Sequence, residues 1–156
     1  MAWFGCPPLV VRLSSMIIYF LCGVMEIISF SCTCTYISSI CVTARENSGN
    51  ILLSLHCIFP QIISDLMLAV GGFFWATHFY APLGFAYNII MAVLCAVSAT
   101  YAILSLTGCG NPAQPIVFVS SIFALIAGGL HLTLPILVAL NLEDDDFFLS
   151  FGRFDD

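Results

Sequence analysis

The chain has 156 residues, of which 61% are hydrophobic and only 8% charged, with a formal net charge of −6. A water-soluble domain carries about 25% charged residues, so composition excludes an ordinary soluble globule. There is no lysine and the only arginines are Arg12, Arg45 and Arg153, which excludes the basic footprint that nucleic-acid binding requires.

The mean hydropathy of +1.09 makes the bilayer the solvent for most of the chain. Each helical span needs about 20 apolar residues, so at most about five spans fit. The first apolar run covers 14–43, "SSMIIYFLCGVMEIISFSCTCTYISSICVT". Glu26 inside it and the lack of an A-x-A-like site argue against a cleaved signal peptide. The polar segment "ARENSGN" reads as a loop. The second run covers 51–77, with a bend expected at Pro60. "HFYAP" reads as a turn. The third run covers 83–108, and "CGNPAQ" is a turn signal. The fourth run covers 115–140.

These runs predict an all-α integral membrane protein: an antiparallel four-helix transmembrane bundle over 1–142, with short loops. An acidic-aromatic tail, "EDDDFFLSFGRFDD", occupies 143–156 and holds six of the nine acids. With four spans the termini share a side. Arg12 and Arg153 stand there against Arg45 opposite, so the positive-inside rule puts both termini in the cytosol. Which membrane is meant is not encoded.

Small and polar residues recur at helical spacing in each run. The first stripe is Cys22, Glu26, Ser29 and Thr33; the second is Asp65, Ala69, Gly72 and Ala76. The third is Asn88, Ala92, Cys95, Ala99 and Ala102; the fourth is Ser121, Ala124, Gly128, His131 and Pro135. Spacing of three or four keeps each set on one face. In lipid such faces are where helices pack closely, so Gly72, Ala76, Ala92, Ala99 and Gly128 are expected at helix contacts.

Glu26 and Asp65 lie near the middle of their runs and His131 about one turn past the middle of its own. An antiparallel bundle brings the three to similar depth, with Asn88 about a turn nearer the cytosolic face. A charge at the bilayer centre costs about 2.5–3.5 kcal/mol, so such groups face inward and pair. Glu26, Asp65, His131 and Asn88 are therefore expected to form a buried polar cluster. It acts either as an interhelical clamp or as a proton or cation relay. His56, near a span end, and His78, in a turn, read as interfacial residues. Trp3, Phe4, Trp75, Phe79 and Tyr80 fall where an aromatic belt would.

The eight cysteines include no C-x-x-C pair. Cys22, Cys32, Cys34, Cys57 and Cys95 lie in apolar segments, where a free thiol behaves as a small hydrophobe. No metal site and no cofactor are expected from the ligand spacings. Cys41 and Cys109 fall at span ends on one side, as free thiols or as a disulfide. Cys6 is a candidate for palmitoylation. No catalytic motif is present, so an enzyme is not expected. In the tail, Phe147, Phe148, Phe151 and Phe154 interleave with acids, as a docking segment for a partner or as aromatics on the bilayer surface.

Two segments, "VVRLSSMIIYFLCGVMEII" and "SDLMLAVGGFFW", resemble MARVEL-type four-helix membrane proteins. The resemblance implies tetraspan bundles at cell junctions and in vesicle traffic, without catalysis. Two functions thus remain open. One is a non-catalytic tetraspan scaffold or accessory subunit, whose partners are lipid and other membrane proteins or further copies of itself. The other is a small proton or ion transporter or channel subunit using Glu26, Asp65 and His131.

Overall fold

The computed structural model describes residues 8–37, 45–74, 81–106 and 114–141, with side chains described over 13–37, 49–71, 84–106 and 115–137. Four helices make up this part of the chain: α1 (Pro8–Ile37), α2 (Arg45–Phe74), α3 (Ala81–Leu104) and α4 (Gln114–Asn141). No strand occurs among the described residues. Each helix contains a stretch long and apolar enough to cross a membrane: Leu13–Ile37, Gly49–Gly71, Gly84–Leu104 and Pro115–Leu137, of 25, 23, 21 and 23 residues. At 1.5 Å per residue all four exceed a hydrocarbon core about 30 Å thick.

Two segments expected outside the helices lie within them. Arg45–Asn50, read as loop, forms the first turns of α2, and Ala81–Pro82, read as turn, opens α3. Arg and Glu are good helix formers, and a helix leaving the hydrocarbon has no reason to stop where its residues become polar. Proline suits a first helical turn because the N–H it lacks has no partner there. The same holds for Pro8, which starts α1 six residues before the predicted run. α2 continues as helix on both sides of Pro60.

The helices close into a ring in which α1 packs on α2 and α4, and α3 packs on α2 and α4. Burial repeats every three or four residues. In α1 it falls on Cys22, Glu26, Ser29, Thr33 and Tyr36, and in α2 on Ile51, Ser54, Ile58, Gln61, Asp65 and Ala69. Outward positions carry large apolar groups such as Phe20, Phe59, Met67, Val93, Ile122 and Leu125. Here the core is small and polar while the surface is bulky and apolar, the reverse of a soluble bundle. That inversion is what lipid selects, because burying Leu gains little when the solvent is already hydrocarbon.

Small residues set the close contacts. A Cβ on Gly128 would lie 3.1 Å from Cys95 Cβ and 3.3 Å from the Ala92 carbonyl oxygen. Between these contacts the helices are joined by hydroxyls. Ser29 Oγ and Thr33 Oγ1 of α1 meet Ser120 Oγ of α4 at 3.0 and 2.7 Å. Ser54 Oγ of α2 meets Ser98 Oγ of α3 at 2.9 Å. Apolar patches separate the hydroxyl groups. Tyr36, Ile51, Ala102 and Val117 form one, and Ile58, Ala99 and Ala124 another.

Candidate functional site

The buried polar cluster draws on all four helices. Glu26 comes from α1, Asp65 from α2, Asn88 from α3 and His131 from α4. Glu26, Asp65 and His131 are 0% exposed and Asn88 is 3% exposed. His131 Nε2 stands 3.0 Å from Asp65 Oδ2 and 3.6 Å from Glu26 Oε1. On its other side His131 Nδ1 lies 2.9 Å from Asn88 Oδ1.

Hydrogen bonding fixes the orientation of this set. Asn88 Nδ2 donates to the Gly84 carbonyl at 2.7 Å and to the Tyr19 hydroxyl at 2.8 Å. A backbone carbonyl only accepts, so the amide nitrogen must face Gly84 and the amide oxygen must face His131. His131 Nδ1 therefore carries the hydrogen and donates it to Asn88. In the neutral ring this leaves Nε2 with the lone pair, directed toward the two carboxyl groups. Asp65 is held from behind by Tyr87, whose hydroxyl donates to Oδ1 at 2.7 Å. Tyr19 and Tyr87 also pack edge-on against the His131 ring.

Two thiols flank the cluster. Cys95 Sγ lies 3.1 Å from Gln61 Oε1 and 3.8 Å from Glu26 Oε1. Gln61 Nε2 is committed to the Cys57 carbonyl at 2.8 Å, which turns its oxygen toward Cys95. Cys22 Sγ is 3.8 Å from the Ala127 carbonyl.

Three atoms are left over. Glu26 Oε2, Asp65 Oδ2 and His131 Nε2 are buried with no hydrogen-bond partner. Asp65 Oδ2 and His131 Nε2 approach to 3.0 Å, an ion pair when the ring is protonated. A buried polar atom without a partner costs about 1–3 kcal/mol, more when charged. Among the described residues the other buried polar side chains are hydrogen-bonded, so the unsatisfied groups gather in this cluster.

The remaining predicted residues fall in three groups. Ala92, Ala99 and Gly128 are buried at helix contacts. His56 is exposed on α2, its Nδ1 2.7 Å from the Leu52 carbonyl, apart from the cluster. The surroundings of Gly72 lie outside the described residues, as do Cys6, Cys41, Ala76, His78, Cys109, the belt aromatics and Phe147, Phe148, Phe151 and Phe154. Sequence reasoning missed Tyr19, Tyr87, Gln61 and the Ser120 and Ser98 hydroxyls. Gln61 stands four residues before Asp65, on the same helical face, so the stripe itself pointed to it. Comparison with protein-family models, with curated proteins and with solved structures returns no match.

Proposed function

We propose that the chain is a non-catalytic tetraspan membrane protein, a scaffold or an accessory subunit of a membrane complex, and that its four helices run antiparallel with both termini cytosolic. The observation that carries this reading is the division of the helix faces. Inward faces hold the small and polar residues that join the helices, and outward faces are apolar. The few outward hydroxyls fold back on their own helix: Ser31 donates to the Ile27 carbonyl at 2.7 Å and Thr100 to the Ala96 carbonyl at 2.8 Å. A hydroxyl satisfied within its helix is tolerated in hydrocarbon.

The pairs across helices support the up-down arrangement. Tyr36 of α1 shares a patch with Ile51 of α2 and Val117 of α4, whereas Glu26, earlier in α1, sits with His131 and Asp65, later in α4 and α2. On this reading the cluster fixes helix register and depth, and the apolar outer faces and the acidic tail meet lipid and partner proteins. The resemblance to MARVEL-type proteins adds junctions and transport vesicles as settings for such a scaffold.

A second reading, passage of a proton or cation, is favoured by the three unsatisfied atoms at Glu26, Asp65 and His131. Two measurements separate the readings. The scaffold reading expects purified protein in liposomes to carry no proton or cation flux, and the full chain in mild detergent to elute within a larger complex. Flux through the wild type that is lost on Asp65→Asn would refute it in favour of the second.

A further inference from the structure

From the geometry of the cluster we infer that Cys22, Asp65 and His131 form a binding site for one divalent transition-metal ion of the zinc class, with Glu26 beside it. His131 Nε2 is 3.0 Å from Asp65 Oδ2 and 3.6 Å from Glu26 Oε1. Nitrogen and oxygen ligands held about 2.0–2.2 Å from a tetrahedral zinc ion stand about 3.3–3.6 Å apart. His131 Nε2 and Asp65 Oδ2 thus already stand near the separation that a shared ion imposes, and with Cys22 Sγ they form a set whose donor atoms all lie within 4.8 Å of one another. Asp65 Oδ2 and His131 Nε2 have no hydrogen-bond partner and their side chains are fully buried.

The groups behind the donors fit the same occupant. A metal-binding histidine commonly donates its second ring N–H to an oxygen acceptor, which fixes the tautomer and aims the free nitrogen. Asn88 Oδ1 fills that role for His131 at 2.9 Å, and the Gly84 carbonyl fixes Asn88. The Tyr87 hydroxyl steadies the Asp65 carboxylate from its far oxygen. Cys22 Sγ lies within 4.8 Å of the Asp65 and His131 donors, and Cys95 Sγ within 4.8 Å of those of Glu26 and His131. Imidazole with thiols at hand selects zinc, copper or nickel over magnesium or calcium, which prefer all-oxygen sites.

Charge balance points the same way. Two carboxylates in a hydrocarbon-embedded interior must be neutralised. One divalent ion does this as completely as two protons and gives the orphan Asp65 Oδ2 and His131 Nε2 a partner. The ligands come from three different helices, so an ion also ties α1, α2 and α4 together at mid-depth.

The test uses the full chain in mild detergent, stripped with a chelator and titrated with Co2+ as a spectroscopic probe, then with Zn2+ as competitor. The expected result is one Co2+ per chain, with the visible bands of a low-coordinate ion, displaced by Zn2+ and not by Mg2+. Cys22→Ala, Asp65→Asn and His131→Gln are each expected to weaken binding by about 10-fold or more. In a second measurement that needs no variant, Zn2+ should raise the thermal midpoint of the stripped wild type while Mg2+ leaves it unchanged. Absence of both Co2+ binding and a Zn2+-dependent midpoint in the wild type overturns the proposal. So does undiminished binding by the folded Asp65→Asn, His131→Gln double variant. Neither outcome bears on whether the protein acts as a scaffold, which rests on complex size and flux.

Discussion

Gly128 and Gly129 are neighbours on α4 that face opposite surroundings, and they permit a controlled test of how the bundle is packed. A Cβ on Gly129 would meet nothing within 4 Å, whereas on Gly128 it would lie 3.1 Å from Cys95 Cβ and 3.3 Å from the Ala92 carbonyl oxygen. Ordinary contact begins at 3.4 Å, so α3 and α4 must separate by about 0.3 Å to admit the methyl. Neither obstructing atom is the end of a flexible side chain, so the strain cannot be relieved by a rotamer change. Overpacking of this kind costs about 1–3 kcal/mol. Replacing glycine by alanine inside a helix gains about 0.8–1.0 kcal/mol at either position. The propensity gain cancels between the two variants, and their difference isolates the packing cost, about 1–3 kcal/mol in favour of Gly129→Ala. Unfolding of the purified protein by SDS in mixed micelles, followed by circular dichroism, measures it. Gly23→Ala should fall between the two, because the atoms it would meet belong to the Leu66 side chain, which can rotate. A Gly128→Ala variant as stable as Gly129→Ala would refute the close approach of α3 and α4.

Four further outcomes follow from the same contacts. Ser29→Ala and Ser120→Ala are each expected to cost about 0.6–2 kcal/mol by the same assay, with a double-variant cost below the sum because the two hydroxyls share one hydrogen-bond group. Tyr87→Phe removes the donor to Asp65 Oδ1 and should cost about 1–3 kcal/mol, while Tyr101→Phe, remote from the cluster, serves as its reference. His131→Leu leaves Asp65 and Glu26 buried without a base, and a loss of about 3–5 kcal/mol is expected; a loss below 1 kcal/mol would mean that the cluster holds nothing together. Leu125→Arg, at a position 53% exposed near the middle of the Pro115–Leu137 span, should cost about 2.5–3.5 kcal/mol of insertion free energy. Glycosylation mapping of the inserted fraction reads that cost, and unchanged insertion would contradict a lipid-facing position.

The inward faces were legible in the sequence because lipid reverses the usual signal. Where the solvent is apolar, the small and polar residues mark the helix contacts, and Cys22, Glu26, Ser29 and Thr33 are four residues of one such face. The ends of the helices were not legible. Arg45–Asn50 is helical although polar, since hydropathy reports the hydrocarbon slab and not the helix that passes out of it. Tyr19 and Tyr87 were hidden for a different reason. Tyrosine in a membrane sequence reads as an interfacial anchor, and only the approach of α2 and α3 shows that the Tyr87 hydroxyl serves Asp65. The meeting of Glu26, Asp65 and His131 was expected from their similar depth, but which of their atoms approach was out of reach, because that depends on how three separate helices are rotated against one another.

The two kinds of polar contact in this interior differ in a way that bears on why the cluster exists. Ser29, Thr33 and Ser120 form a closed set in which each hydroxyl finds a partner, and Ser54 and Ser98 do the same. A bundle that needed only register could be built from such pairs, at modest cost and without ionisable groups. Glu26, Asp65 and His131 go further. Three helices are spent on bringing two acids and a base to one buried point, and Asn88, Gly84 and Tyr87 of α3 are spent on aiming them. The outcome leaves three atoms unsatisfied. Aimed donors with no partner make physical sense when the partner is something that arrives, a proton or a metal ion, and the approach of His131 Nε2 to both carboxyl groups defines where it would sit.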